Sequence, residues 1–319
     1  MNHAASRAGP SPLVVALAVM ILCGIWGSTW FVIKAGLRDL PVLSSAATRF
    51  TLAALVFTLL APLLHRREGG ERPAWWLSLG MGLLNFAISY GIVYMAETVI
   101  PSGLTSVLWA VFPMMTAALA HRFLPGERLG ARQWLGFCVG LGGVAVLFAT
   151  DLRRIGGEAL WTGAFLLLSP LSAAAGQVLV KRHGPAVSAT LLNRNGMIVG
   201  ATALWLVALP LETQSSATFT GQAVAGLAYL ALVGTVVSFG LYYWLLRYVD
   251  ASRLSLIAYV TPALALWLGW AAGDEPLTRS TIGGSALILL GIALALGRHR
   301  RRASDHAPSS TPASNTPDR

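Results

Sequence analysis

The residues of this sequence that could bind a small molecule are aromatic and small polar side chains inside long apolar stretches. Aromatic rings near the middle of such stretches can stack on an amphipathic molecule and can hold an amine by cation–π contact. A single serine in a helix more often bonds to its own backbone, so ordinary packing is the alternative for the polar members. The candidates for substrate contact are Trp26, Trp30, Asn85, Ser89, Tyr90, Trp109, Gln177, Ser238, Tyr242 and Tyr259.

Two prolines in the middle of apolar stretches, Pro113 and Pro262, are candidates for hinges. Proline removes one helical hydrogen bond and clashes with the preceding turn, so it kinks a helix. Ser106 and Trp109 precede Pro113 on one helical face, at spacings of three and four. A polar and aromatic face on a kinked helix suits the wall of a cavity, with ordinary helix packing as the alternative.

Arg49 and Arg194 lie within apolar stretches, 145 positions apart. A charged side chain inside a membrane is costly and is usually functional or paired. Each arginine lies only about two helical turns inside its stretch, so snorkelling to the membrane surface is the other explanation. The sequence leaves both explanations open.

Acidic residues and histidines are absent from the middle of the apolar stretches. All 13 acids and all six histidines fall in predicted loops, tails or helix ends. Without buried His or Asp pairs the sequence offers no catalytic dyad, haem ligand or metal site, so we expect neither an enzyme nor a cofactor. The same pattern disfavours a proton-coupled multidrug antiporter, which would need a buried carboxylate, although Glu97 at a helix end keeps that alternative open.

The composition places the chain in a lipid bilayer. Hydrophobic residues make up 55% of the 319 residues and charged residues only 11%, with a mean hydropathy of +0.65. Soluble domains average about 25% charged residues. The net charge of +10 would suit a nucleic-acid binder, but the basic residues separate apolar runs and therefore carry topology information. Arginine outnumbers lysine by 21 to 2, a usage typical of GC-rich bacterial genomes.

Ten apolar runs are long enough to cross a bilayer as helices. They predict an all-α transmembrane protein with ten helices. The runs cover residues 12–36, 42–63, 75–97, 102–121, 133–150, 158–180, 187–210, 222–246, 254–272 and 280–297.

The basic residues predict the orientation of these helices. With the N-terminus placed in the cytoplasm, the segments on the cytoplasmic side hold 15 lysines and arginines and those on the other side hold five. Cytoplasmic segments are enriched in basic residues. We therefore expect a multi-pass protein of the bacterial inner membrane with both termini in the cytoplasm.

The two halves of the sequence resemble each other. The pairs separated by 148 or 149 positions include Glu127 and Glu275, Leu129 and Leu277, Gly136 and Gly284, Gly143 and Gly291, Pro113 and Pro262, and Tyr94 and Tyr243. Five spans per half is an odd number, so the second half enters the membrane inverted. Inverted repeats are typical of secondary transporters, with the substrate site near the membrane midplane. Chance similarity between apolar helices is the alternative.

These patterns divide the chain into four parts. We predict a cytoplasmic N-terminal segment (1–11), a first five-helix repeat (12–152), an inverted second five-helix repeat (153–297) and a basic, then disordered, cytoplasmic tail (298–319). The tail begins with four arginines in five residues, and it has too few apolar residues to fold.

The motifs of the first half resemble those of the EamA family in the drug/metabolite transporter superfamily. The matching residues are Trp26-Gly27-Ser28-Thr29 with Lys34, Arg49-Phe50, and Pro113 followed by Gly126-Glu127-Arg128-Leu129. The second half departs from the pattern, since it has Asp274-Glu275-Pro276-Leu277 in place of the last motif and lacks the Trp-Gly pair. The resemblance implies a bacterial inner-membrane exporter with a central cavity lined by the first, third, fourth, sixth, eighth and ninth spans. It specifies no substrate.

We therefore predict a secondary transporter that exports amino acids, related metabolites or drugs by alternating access without ion coupling. Its expected partners are a small-molecule substrate and the lipid bilayer, and no nucleic acid; the sequence leaves monomer and homodimer open. The alternatives are a proton-coupled multidrug antiporter and a membrane sensor or scaffold without transport. A sensor would ordinarily carry a large soluble domain, and none is predicted.

Overall fold

The computed structural model describes residues 11–125, 129–246 and 257–296, and for residues 243, 246, 258, 259, 295 and 296 it describes the backbone alone. Within these ranges the chain is helical apart from its connections and a single β-bridge between Glu71 and Val187. The motif residues 126–128 and the predicted tail lie outside them.

Eight helices in the described residues are long and apolar enough to cross a membrane. They are α1 (Pro12–Gly36), α2 (Val42–Glu68), α3 (Trp75–Val99), α4 (Ser102–Phe123), α5 (Ala131–Ile155), α6 (Gly157–His183), α7 (Ala189–Leu211) and α8 (Gly221–Tyr242, continuing to Leu246). Two shorter apolar helices follow, α9 (Ile257–Gly273) and α10 (Arg279–Leu296). A helix satisfies its backbone hydrogen bonds internally, which is why apolar runs of this length become helices in lipid. The eight long helices coincide with the first eight predicted runs.

Short polar side chains begin several of these helices. The hydroxyl of Ser11 accepts a hydrogen bond from the backbone N–H three residues later, at 3.4 Å, at the start of α1. Ser188 and Thr220 do the same for α7 and α8, at 3.3 and 3.1 Å. Each hydroxyl satisfies a backbone N–H that has no partner within the first helical turn.

Helices α3 and α8 each contain a π-helical segment, Gly82–Ile88 and Tyr229–Val237. Such segments are rare and are frequent at functional sites. The α3 segment shifted by 149 positions covers residues 231–237, which lie inside the α8 segment. Ser89 and Ser238, also 149 positions apart, directly follow the two segments.

Helices α2 and α7 cap each other's first turns. The carboxylate of Glu68, at the end of α2, accepts hydrogen bonds from two backbone N–H groups at the start of α7, at 2.8 and 3.1 Å. Conversely, Glu212 directly after α7 accepts from two N–H groups at the start of α2, at 2.7 and 2.8 Å. A carboxylate in this position satisfies free N–H groups and interacts favourably with the helix dipole.

Helices α5 and α10 contact each other through glycines. A Cβ atom at Gly143 would lie 2.6 Å from the carbonyl oxygen of Gly284, and one at Gly291 would lie 2.6 Å from that of Gly136. These distances leave no room for a side chain, so the glycines allow the two backbones to approach closely. The four residues form two pairs of the predicted repeat, and each contact joins a member of one pair to a member of the other.

Acidic side chains also join segments at one end of the bundle. Glu275, between α9 and α10, accepts hydrogen bonds from two backbone N–H groups at the start of α4, at 2.6 and 2.9 Å. Asp151, near the end of α5, accepts from the hydroxyl groups of Thr278 and Thr281 at 2.6 and 3.0 Å. We call this end, where α1, α3, α5, α7 and α9 terminate, the Glu275 end.

Candidate functional site

Helices α1, α2, α3 and α8 meet in a row of aromatic side chains. Successive ring centroids lie between 4.8 and 6.3 Å apart, in the range of edge-to-face and tilted aromatic contacts. We call this set the aromatic row; in order, it consists of Tyr242, Trp26, Phe239, Phe86, Phe50 and Tyr90.

Arg49 of α2 lies at the Tyr90 end of the aromatic row. Its side chain is 1% exposed. Its guanidinium carbon lies 5.0 Å from the ring centroid of Tyr90 and 5.4 Å from that of Phe50, within the range of a cation–π contact. Nε donates to the hydroxyl oxygen of Thr235 at 3.1 Å, and Nη2 donates to the carbonyl oxygen of Gly234 at 3.4 Å. Arg49 therefore connects α2 with the π segment of α8.

A second cluster joins α1, α3, α4 and α6. The ring of Trp109 is stacked on Phe112 at 4.8 Å and lies 5.9 Å from the ring of Trp30. Nε1 of Trp109 donates to the hydroxyl oxygen of Ser169 at 3.0 Å, and this hydroxyl lies 2.8 Å from the carbonyl oxygen of Ser89, to which it donates. We call these five residues the Trp109 cluster. It combines flat apolar surface with a few polar groups, the lining that holds and orients small molecules in proteins.

The structure brings six of the predicted contact residues into these two clusters: Trp26, Tyr90 and Tyr242 into the aromatic row, and Trp30, Ser89 and Trp109 into the Trp109 cluster. Asn85, in the π segment of α3, packs against α6 instead. Ser238 is buried and donates to a carbonyl oxygen one turn earlier at 2.9 Å, so it bonds to its own helix. Gln177 is exposed on α6, and the side chain of Tyr259 lies outside the described residues.

The two predicted hinge prolines have different surroundings. Helix α4 is interrupted at Ala110 and Val111, where ψ is −11° and −8°, directly before the turn that contains Pro113. The proline ring excludes the carbonyl group one turn earlier, which accounts for the interruption. Pro262 lies inside α9, whose helix is continuous from Ile257 to Gly273. Hinge motion at either proline stays a prediction.

Phe86 and Phe239 are central members of the aromatic row that sequence reasoning missed. A phenylalanine in an apolar helix resembles any other core residue, so its type carries no functional signal. The repeat offset could have indicated Phe239, because it lies 149 positions after Tyr90. No comparable signal points to Phe86.

The expectation that the chain has no buried carboxylate is wrong. Glu97, two residues before the end of α3, is 0% exposed, and Asp151 is 6% exposed. Lys34 of α1 donates hydrogen bonds to the backbone carbonyl oxygens of Glu97 and Ile100, and this contact holds α1 against the end of α3. The end of α3 at Glu97 is therefore buried against the neighbouring segments of the chain.

The long apolar helices and the aromatic and hydroxyl groups between them define a multi-pass helical membrane protein. The chain belongs to the EamA-like transporter family, whose sequence profile matches residues 13–149 and, a second time, residues 160–297. The resemblance noted from the motifs is thereby confirmed, and the two matches together span nearly all of the described helices.

Relatives match this chain over most of its length. The uncharacterized transporter YoaV of Bacillus subtilis is 28% identical, over 87% of this chain and 95% of its own length. The uncharacterized inner membrane transporter YedA of Escherichia coli is also 28% identical, over 90% of this chain and 92% of its own. A Salmonella typhimurium protein named as a probable amino-acid metabolite efflux pump is 28% identical, over 86% of this chain and 92% of its own.

A solved crystal structure shares the fold. It matches with a TM-score of 0.63 at 19% sequence identity, and the match covers 89% of this chain and 98% of the solved chain. At this level of identity the likeness concerns the fold and not the substrate.

Proposed function

We propose that the protein is a secondary transporter of the bacterial inner membrane that exports amino acids or related small metabolites by alternating access. The observation that carries this proposal is that both clusters combine helices from the two regions that the family profile matches. The aromatic row joins α1, α2 and α3 to α8, and the Trp109 cluster joins α1, α3 and α4 to α6. A site shared by two halves opens to either side when one half moves against the other.

Reciprocal contacts between the two halves of the chain support the inverted repeat that this mechanism uses. Glu68, at the end of α2, caps the start of α7. Glu212, which is 144 positions later and follows α7, caps the start of α2. The glycine contacts between α5 and α10 are reciprocal in the same way. Reciprocal contacts of this kind are what a two-fold axis between two similar halves produces. We accordingly assign residues 12–152 and 153–297 to two inverted halves of five helices each.

We place both termini in the cytoplasm and the Glu275 end towards the periplasm. The loops at the opposite end, within residues 65–72, 122–132 and 181–184, carry most of the loop lysines and arginines. Basic residues concentrate on the cytoplasmic side of inner-membrane proteins. The likeness to YedA, which is named as an inner membrane transporter, supports the same location.

The proposed substrate class follows from the chemistry of the two clusters. The rings of Trp30 and Trp109 offer π faces to an ammonium group, and the hydroxyl group of Ser169 orients the Trp109 ring. The name of the Salmonella typhimurium relative supports amino-acid metabolites as the class. Drugs would also fit an aromatic surface and are the second class to test.

Efflux from proteoliposomes tests this proposal. Vesicles that contain the purified protein are loaded in turn with each radiolabelled standard amino acid and then diluted. We expect at least one amino acid to leave faster than from protein-free vesicles. Trp109→Ala should lose most of this efflux, because the mutation removes the ring that contacts both Trp30 and Ser169. Trp161→Ala is the matched control, since that side chain is 81% exposed and belongs to neither cluster.

Two outcomes would contradict the proposal: efflux of none of the amino acids, or equal efflux through the Trp109→Ala and Trp161→Ala proteins.

A sensor or scaffold without transport is less well supported, because the relatives that match along the chain are named as transporters. The proton-coupled alternative has one specific observation in its favour, the burial of Glu97.

A further inference from the structure

Glu97 is a buried acidic side chain that belongs to neither cluster. Both of its carboxyl oxygens lack a hydrogen-bond partner among the described residues. An unpaired carboxylate is strongly disfavoured away from water, and buried polar groups without partners are rare in native proteins. Ionisable residues retained inside a membrane protein usually take part in its function, often by exchanging protons.

Three charged side chains interact electrostatically with Glu97, each from a different element. Lys34 of α1 is held beside it through the backbone carbonyl oxygens of Glu97 and of Ile100, the latter at 3.2 Å. The other two are Arg49 on α2 and Glu275 in the segment between α9 and α10. The nearby cations stabilise a carboxylate, whereas burial and the second carboxyl group stabilise the neutral acid.

Further buried polar groups continue from Glu97 towards the aromatic row. Tyr94 lies three residues earlier on α3, and it interacts electrostatically with both Glu97 and Arg49. Its hydroxyl group pairs with the buried guanidinium of Arg49. Tyr94 also lines a cavity of about 10 Å³, close to the smallest volume that holds one water molecule. Since Arg49 contacts Tyr90, polar groups lead from the Glu275 end to the aromatic row.

We propose that Glu97 is the proton-binding site of a cycle that exchanges the exported substrate for protons, an inference that rests on the function proposed above. A proton that enters from the Glu275 end adds to the Glu97 carboxylate and ends the attraction between this group and Lys34. Lys34 belongs to α1, which contributes Trp26 to the aromatic row and Trp30 to the Trp109 cluster, so the change in charge acts on the helix that is shared by both clusters. Release of the same proton to the cytoplasm restores the attraction. Transport in this proposal is coupled to protons, in contrast to the uncoupled transport predicted from the sequence.

An infrared measurement without substrate tests the proton site. Difference spectra of the full-length protein in lipid, recorded between acidic and alkaline buffer, detect the carbonyl stretch of protonated carboxylic acids. We expect a band that is lost at alkaline pH, is absent from Glu97→Gln and is retained in Glu158→Gln. Glu158 is a suitable control because it is exposed at the start of α6. Glu97→Asp, which keeps a carboxyl group, should retain a displaced band and covers the case in which Glu97→Gln does not fold. Identical spectra for the wild type and all three variants would overturn the proton site.

A flux measurement tests the coupling. Proteoliposomes that enclose a fluorescent pH indicator receive a mixture of the radiolabelled standard amino acids, and the movements of label and protons are recorded together. We expect the wild-type protein to move both, and Glu97→Gln to exchange labelled for unlabelled amino acid without moving protons. Label movement without proton movement in the wild type would overturn the coupling and leave the proposed function intact. No label movement would overturn the proposed function and the coupling, while the infrared band still decides whether Glu97 binds a proton.

Discussion

Arg49 and Arg194 are the same type of residue at corresponding places in α2 and α7, yet their surroundings differ. Arg49 is buried and donates hydrogen bonds to the π segment of α8. Arg194 is half-buried, and its Nε and Nη2 both donate to the side-chain oxygen of the adjacent Asn195, at 3.0 and 2.8 Å. One arginine thus connects two helices, whereas the other bonds within its own helix.

This contrast separates two explanations that the sequence left open for both arginines. A guanidinium that bonds to its sequence neighbour and keeps some exposure can be tolerated without a functional role. A guanidinium that is buried and contacts another helix carries a large desolvation penalty, which favours a role in function. We therefore propose that Arg49 takes part in transport and that Arg194 does not.

Methionine at each arginine position tests this proposal most directly. We expect Arg49→Met to lower efflux by about tenfold or more, because one hydrogen bond to a charged group contributes about 1.5–3 kcal/mol. Arg194→Met should change efflux by less than about twofold, as do most changes away from specific interactions. Initial efflux rates from proteoliposomes with equal protein content measure both effects. Similar losses in the two variants would remove the functional distinction.

The contacting glycines of α5 and α10 are corresponding residues with similar surroundings. Replacing either member of a pair should therefore lower the free energy of unfolding by a similar amount. Gly143→Ala and Gly291→Ala should each lower the free energy of unfolding by about 1–3 kcal/mol, because the added carbon meets backbone atoms that cannot move aside. Gly142→Ala and Gly283→Ala are the controls, since a Cβ at either position has nothing within 4 Å. Thermal denaturation in detergent compares the four variants. Strongly unequal losses at 143 and 291 would contradict a reciprocal contact.

The two capping glutamates should give the smallest effects, again equal in the two halves. Glu68→Gln and Glu212→Gln keep the shape of the side chain but remove its charge from a helix N-terminus, which costs about 0.5–1 kcal/mol. Glu71→Gln, an exposed side chain in the connection after α2, should leave the melting temperature unchanged. The same thermal measurement applies, and a loss confined to one of the two capping variants would show that the caps are not equivalent.

The helices could be predicted from the sequence because each depends on a local pattern. An apolar run of about 18 residues or more forms a helix in lipid whatever lies beside it. The predicted runs 12–36 and 102–121, for example, correspond to helices at Pro12–Gly36 and Ser102–Phe123. The π segments inside α3 and α8 were not predicted, because no simple residue pattern distinguishes them from ordinary helix.

The candidate site could be predicted only in part. Trp26, Trp30 and Trp109 were identified because tryptophan is uncommon in the middle of a span, and the structure places all three in the clusters. Ser238 and Gln177 were chosen for polarity alone, and neither joins a cluster. In lipid the side of a helix that faces other helices need not be the polar side, so residue type does not determine which way a side chain points.

The local patterns of the chain establish that Arg49, Arg194 and Glu97 lie in apolar helices. Packing alone determines that Arg49 reaches α8, that Arg194 bonds to its own neighbour, and that Lys34 of α1 lies beside Glu97. Thr235 is 186 positions from Arg49, and Lys34 is 63 positions from Glu97. Contacts over such separations depend on the rotation and depth of one helix relative to another. Helices in lipid obtain this arrangement from close packing with their neighbours, which no single stretch of sequence encodes.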